Sequence, residues 1–111
     1  MPSLRERKRY LAFEIISEKP IKDFTAVSKA VWEKALQYIG ELGCAEAGLM
    51  MLPDKYNKER QRGLIRVNNK SLDKLRATLA LIEQIDNQQV IMRSRGASGI
   101  LKKAEGKYLA G

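Results

Sequence analysis

Arg62-Gly63-Leu64-Ile65-Arg66-Val67-Asn68-Asn69-Lys70-Ser71-Leu72-Asp73-Lys74-Leu75-Arg76-Ala77-Thr78-Leu79-Ala80-Leu81-Ile82 changes its apolar period partway along. From Gly63 to Asn68, Ile65 and Val67 alternate with Leu64 and Arg66, which is the period of a strand. Beyond Asn69 the spacing lengthens: Leu72, Leu75, Leu79 and Ile82 recur at three and four residues, the stripe of an amphipathic helix that Asn69 or Ser71 can cap. A strand that runs straight into a helix sets the pattern for the rest of the chain.

Upstream the same order appears. Residues 9 to 17 alternate, with Leu11, Phe13 and Ile15 on one side and Tyr10, Ala12 and Glu14 on the other. After the Glu18-Lys19-Pro20 turn, Asp23 can cap a helix with Phe24, Val27, Val31, Ala35, Ile39 and Leu42 inward, widened by Trp32 and Leu36 and ending at Gly40 to Gly43. Ala45 to Leu52 reads as a second strand and Pro53 to Gln61 as a polar connection. Downstream, Gln88 to Arg95 gives a fourth strand with Val90 and Met92 inward, and a final helix follows Ser98. The order βαββαβ, with right-handed β-α-β connections, predicts an α+β, ferredoxin-like fold resembling the RNA-recognition motif. Two helices would cover one face of a four-stranded antiparallel sheet. The other face would carry Tyr10, Glu14, Leu64, Arg66, Ile91, Arg93 and Arg95, too apolar and basic to stand bare. The C-terminal helix is expected to cover it with Ile100, Leu101, Ala104 and Tyr108, leaving Lys102, Lys103 and Lys107 outward.

With 111 residues the chain suits one domain, residues 1–111, in which residues 1–8 form a basic N-terminal arm. Apolar runs are short and no apolar leader follows the charged N-terminus, so the expected location is cytoplasmic. The lone Cys44 cannot form an internal disulfide and reads as a small buried hydrophobe, and the absence of histidine removes the usual zinc and haem ligand sets. The net charge of +8 is uneven: residues 55–111 hold thirteen basic side chains against five acidic ones. A polyanion is the natural partner, because clustered Lys and Arg gain affinity by releasing counterions from phosphates.

Three function classes compete on the residues. A single-strand RNA reader of this fold stacks bases on aromatics of its first and third strands, yet Arg62-Gly63-Leu64-Ile65-Arg66-Val67 has none and only Tyr10 could stack. An enzyme needs a tuned acid or base near neutral pH, and here the carboxylates are scattered while Ser94 and Ser98 lack an activating base. Neither a catalytic set nor a metal site is expected. A polyanion-docking module remains. Arg93 and Arg95, at strand spacing beside the Ser98-Gly99 turn, are its best candidates, with an internal salt bridge to Glu14 as the competing use of one of them. Lys55, Lys58, Arg60 and Arg62 divide between solvated loop and RNA contact. Trp32 reads as core or as a protein-interface anchor, and Met50 and Met51 as gap-fillers or a partner groove.

Arg9-Tyr10-Leu11, Gly63 to Asn68, Ala77-Thr78-Leu79-Ala80-Leu81-Ile82 and above all Ser98-Gly99-Ile100-Leu101-Lys102-Lys103-Ala104-Glu105 resemble, in matching order, the archaeal and eukaryotic ribonuclease P/MRP small protein subunit family. The resemblance spans about Arg9 to Leu109. It implies a non-catalytic subunit of the ribonucleoprotein that removes the 5′ leader from precursor tRNA, with the chemistry left to the RNA and its Mg2+ and no cofactor bound by the protein. It also implies a larger, barrel-like ribonuclease P protein as partner, in pairs that could form a heterotetramer. The expected RNA contacts are Arg5, Arg7, Lys8, Arg9, Arg66, Arg93, Arg95, Lys102, Lys103 and Lys107; the expected protein interface is Trp32, Met50 and Met51. The alternative is a general ferredoxin-like RNA-binding protein of another tRNA- or rRNA-handling particle.

Overall fold

Leu11, Phe13 and Ile15 are fully or almost fully buried, and the strand that carries them, β1 (Lys8–Ser17), runs through the middle of the sheet. The computed structural model describes residues 7–109. On one side β1 pairs antiparallel with β3 (Arg62–Asn68), Leu11 opposite Ile65; on the other it pairs antiparallel with β5 (Gln88–Ser98), Ile15 opposite Met92. This register puts the apolar members of all three strands on one face. There they meet Val27 and Val31 of α1 (Phe24–Tyr38) and Leu75 and Leu79 of α3 (Leu72–Ala80) in one core. Each such side chain taken out of water contributes about 1.5–3 kcal/mol. The Asp23 carboxylate caps α1 by accepting from the Thr25 N–H at 2.9 Å. Asn69 does not cap α3: its Oδ1 accepts instead from Arg9 Nε at 2.9 Å, and Ser71 stands at the cap position without a side-chain bond.

Three expectations change. Most of Ala45 to Leu52 is not a strand: Glu41–Ala47 forms a second short helix, α2, and only Met50–Met51 pairs, as β2, with β3. Cys44 and Ala47, three residues apart, are buried, and Gly48 ends the helix at φ +62, a conformation costly for any residue with a Cβ. Leu42 therefore lies on α2, 73% exposed, not on the inward stripe of α1. Burial pushes the Cys44 thiol pKa up.

Among the described residues the sheet also has five strands, not four. Asp86 and Asn87 have φ of 53° and 64°, the paired left-handed residues of a tight hairpin turn, and fold β4 (Gln84–Ile85) onto β5, giving the order β2-β3-β1-β5-β4. The α+β class and the antiparallel sheet stand; the four-strand count does not. The described part of the predicted N-terminal arm is not an arm either, since Lys8 already pairs with Asn68 and the Arg7 carbonyl accepts from the Asn69 N–H.

The C-terminal segment covers the outer sheet face only over Tyr10, Ala12 and Leu64, in a tighter form than expected, and leaves Ile91 and Arg93 of that face exposed. A single turn, α4 (Leu101–Ala104), continues into a π-helical turn over Glu105–Leu109, and Ala104 and Leu109 pack with Ala12, Leu64, Tyr10, Leu52, Leu101 and Tyr108. Ile100 is the exception: it precedes the first helical turn in an extended conformation and stays exposed. Gly96 lets the cap close, because a Cβ there would lie 2.5–2.6 Å from the Tyr108 ring. Gly96→Ala should lower stability by about 1–3 kcal/mol through this overlap, measured by urea unfolding. Unchanged stability would show that the ring does not rest on β5. Among the described residues no helix is long and apolar enough to cross a membrane.

Candidate nucleic-acid interface

On the outer face of β1 a single carboxylate gathers three guanidinium groups. Glu14 Oε2 accepts from Arg62 Nε at 3.0 Å, and its Oε1 accepts from Arg93 at 2.9 Å (Nη2) and 3.1 Å (Nε) and from Arg95 Nη1 at 3.3 Å. Register explains Arg62 and Arg93, which are the direct cross-strand neighbours of Glu14 on either side. Arg95 arrives by a bulge: Phe13 pairs with Ser94 and Ala12 with Gly96, so Arg95 is the extra residue of β5. Sequence reasoning allowed one arginine for Glu14; the structure gives it three, and the two best RNA candidates both contact it.

Burial raises the Glu14 pKa, but the hydrogen bonds from Arg93 and Arg62 and the charges of Arg62 and Arg95 outweigh it and hold the carboxyl below its usual range. The carboxylate stays charged, and three cations around it leave a surplus of two positive charges. The Glu14 and Arg62 side chains are only 13% and 11% exposed, whereas Arg93 is 58% exposed. Arg62 is thus a buried strand residue and not a solvated loop residue. Its Nη1 and the Nε of Arg66 are buried without a hydrogen-bond partner among the described residues.

A second basic group forms where β1 begins. Arg7 and Lys8 are exposed, and the Ser98-Gly99 turn lies against Lys8 and Arg9: a side chain on Gly99 would begin 3.4 Å from Arg9 Nη1 and 3.9 Å from the Lys8 carbonyl. The Ser98 hydroxyl accepts from the Ile100 N–H at 3.1 Å, which holds the turn open toward α4. Exposed Lys102 and Lys103 leave from α4, and Lys107 extends over the Tyr108 ring at 5.5 Å. Arg66 lies opposite Tyr10 and Met50 and places Nη1 3.9 Å from Met50 Sδ. Of the remaining loop cations, Lys55 pairs with Glu105 at 3.1 Å, so it serves to hold the cap. Arg5 lies outside the described residues.

The predicted protein interface does not form one exposed patch. Trp32 is half-buried on α1, Met51 is half-buried against the core, and only Met50 is exposed, on the short edge strand.

The chain matches known proteins over nearly its whole length. A family model described as the Rpp14/Pop5 family matches residues 9–109. The chain is 38% identical over 109 residues to ribonuclease P protein component 2 of Thermococcus kodakarensis, covering 98% of this chain and 88% of that one. It is 41% identical over 108 residues to the Archaeoglobus fulgidus protein of the same name, covering 97% and 94%. A chain in a cryo-EM structure of yeast ribonuclease MRP is similar in fold, with a TM-score of 0.63 at 13% identity over 95% of this chain and 87% of that one.

Proposed function

The chain belongs to the Rpp14/Pop5 family, and from that premise we propose that it is a protein subunit of ribonuclease P, the ribonucleoprotein that cleaves the 5′ leader from precursor tRNA. The near-full-length match to relatives bearing that name carries the reading, and the basic end of the sheet supplies its physical counterpart. Lys8, Arg9, Lys102 and Lys103, with Arg7 and Lys107 beside them, neutralise phosphates where segments of the catalytic RNA approach one another. Arg93 contributes from its exposed side, while Arg62 and Arg95 hold the face in shape through Glu14. Neutralising phosphates replaces part of the work of Mg2+ in folding the RNA. The chain contributes no catalytic group, and the chemistry belongs to the RNA and its Mg2+. We read the fold as one ferredoxin-like domain with an added edge strand and a partly covered outer face. Its setting is the cytoplasm, beside a larger barrel-like protein partner with which it can form a heterotetramer.

Reconstituted cleavage of precursor tRNA tests the reading. With Lys102→Ala/Lys103→Ala the Mg2+ concentration for half-maximal cleavage should rise, and the salt slope of RNA binding should fall by roughly 1.5, about 0.7–0.9 for each lost phosphate contact. Superimposable Mg2+ and salt titrations for the two proteins would remove these lysines from the interface.

A further inference from the structure

The outer face changes character along β1. Tyr10 and Ala12 lie under the C-terminal cap and Glu14 under its arginines, but the next outward residue, Ile16, is 42% exposed. Its direct cross-strand partner is Ile91, 62% exposed, so two isoleucines stand side by side in water at the end of the sheet. They border an open depression of about 590 Å3 with Val90 beneath and Glu18, Glu83 and Gln84 around it. Both ionisable groups that line it are carboxylates, in a chain whose net charge is +8. Lys8 and Ile16 are separated by roughly 25 Å along the strand, at about 3.3 Å per residue. The basic end and this apolar, acid-rimmed end are therefore separate surfaces.

We infer that this depression docks a protein segment presenting an aliphatic side chain between lysines or arginines. The isoleucine pair provides the apolar floor, and Glu18 and Glu83 select the flanking charges. The same carboxylates repel phosphate, which argues against RNA here. In a two-fold contact between copies they would face one another, which argues against a second copy. The partner can bind while the lysines of α4 remain on RNA.

The choice of probes rests on the reading of the chain as a ribonuclease P subunit. The full-length chain is titrated calorimetrically against each other purified protein component of the particle from its own organism, and the same preparations are assayed for stimulation of precursor-tRNA cleavage. One component should bind. Ile91→Glu should weaken that binding at least tenfold, Glu18→Lys/Glu83→Lys should weaken it comparably and remove its salt sensitivity, and Lys102→Ala/Lys103→Ala should leave it unchanged. Ile91 projects into solvent, and the double charge reversal tests the site without touching an apolar residue. Undiminished binding by Ile91→Glu overturns the proposal, as does self-association of the chain that Ile91→Glu abolishes, or RNA cross-linking to this end. Cleavage stimulation without binding by any component overturns the docking site and leaves the subunit reading standing. Protein binding without any effect on cleavage overturns the subunit reading instead.

Discussion

Glutamine at Glu14 should cost the folded chain about 3–5 kcal/mol at neutral pH and lower its melting temperature by roughly 10–20 °C. The size follows from Arg62, whose side chain is slightly more buried than that of Glu14 and whose Nη1 already lacks a partner among the described residues. Removing the carboxylate leaves that guanidinium without a counter-ion in a poorly hydrated place, which is far costlier than losing a surface pair. Arg93 contributes little to the loss, because water screens and re-solvates its exposed guanidinium. The charge origin has a pH signature. The folded pKa of Glu14 lies below its ordinary value of 4.5, so its stabilisation is complete above that value and disappears as the pH falls through the folded pKa. Wild type should therefore lose stability on acidification below about pH 4.5 while this component is missing from Glu14→Gln, and the gap between them should narrow. Urea unfolding at pH 7 and at successively lower pH measures it. A gap of constant size would assign the loss to packing. Below its melting temperature the variant should bind RNA at least as well as wild type, since the substitution adds one net positive charge to the outer face.

The elements most legible in the sequence were those whose own period meets the core. Leu11, Phe13 and Ile15 alternate because β1 is central and one of its faces packs on helices, and the Asp23 cap is a purely local signal. Legibility failed where small residues carried the pattern. Cys44 and Ala47 satisfy a helical stripe with little apolar area, and the two methionines that follow gave the segment the look of a strand. The β4–β5 hairpin was missed although Asp86-Asn87 between Ile85 and Gln88 is a fair sign of paired left-handed residues. The Arg95 bulge could not have been read, because an inserted residue is defined only against its partner strand. Nor was the role of Arg62 visible. It follows Gln61, whose positive φ and hydrogen bonds to Ile15, Ser17 and Ile21 start β3 one residue before the apolar alternation does. For the candidate site, the Ser98–Lys103 motif marked the basic end, and its juxtaposition with Lys8 and Arg9 came from the sheet.

Alanine at Phe13 is expected to cost about 4–5 kcal/mol, at the upper end for loss of a buried aromatic ring, because its surroundings cannot collapse into the space. Phe13 is fully buried and sits opposite Gly63, where a Cβ would lie 2.5 Å from the ring tip, so the ring occupies the volume that glycine leaves empty. Tyr56 adjoins the same space, stacked on Phe13 at 6.4 Å and 21° and itself tilted against Phe24 at 5.4 Å. Tyr56 cannot swing inward without losing the bond from its hydroxyl to the Ile21 carbonyl at 2.7 Å. Burial pushes that phenol up to about 12, so the hydroxyl remains a donor across the working pH range. A void bounded by a backbone and a tethered ring stays open. The same geometry sets the cost of a second substitution. In the wild-type background Gly63→Ala must displace the Phe13 ring and should destabilise by about 1–3 kcal/mol. In the Phe13→Ala background the added methyl enters the void and meets the Tyr56 ring, at 3.2 Å, so most of its cost should disappear and the double-mutant cycle should return a coupling of about 1 kcal/mol or more. Equilibrium unfolding of the four proteins decides it: a Gly63→Ala effect of the same sign and size in both backgrounds would mean that ring and glycine do not share this space, and the core of the sheet would have to be packed another way.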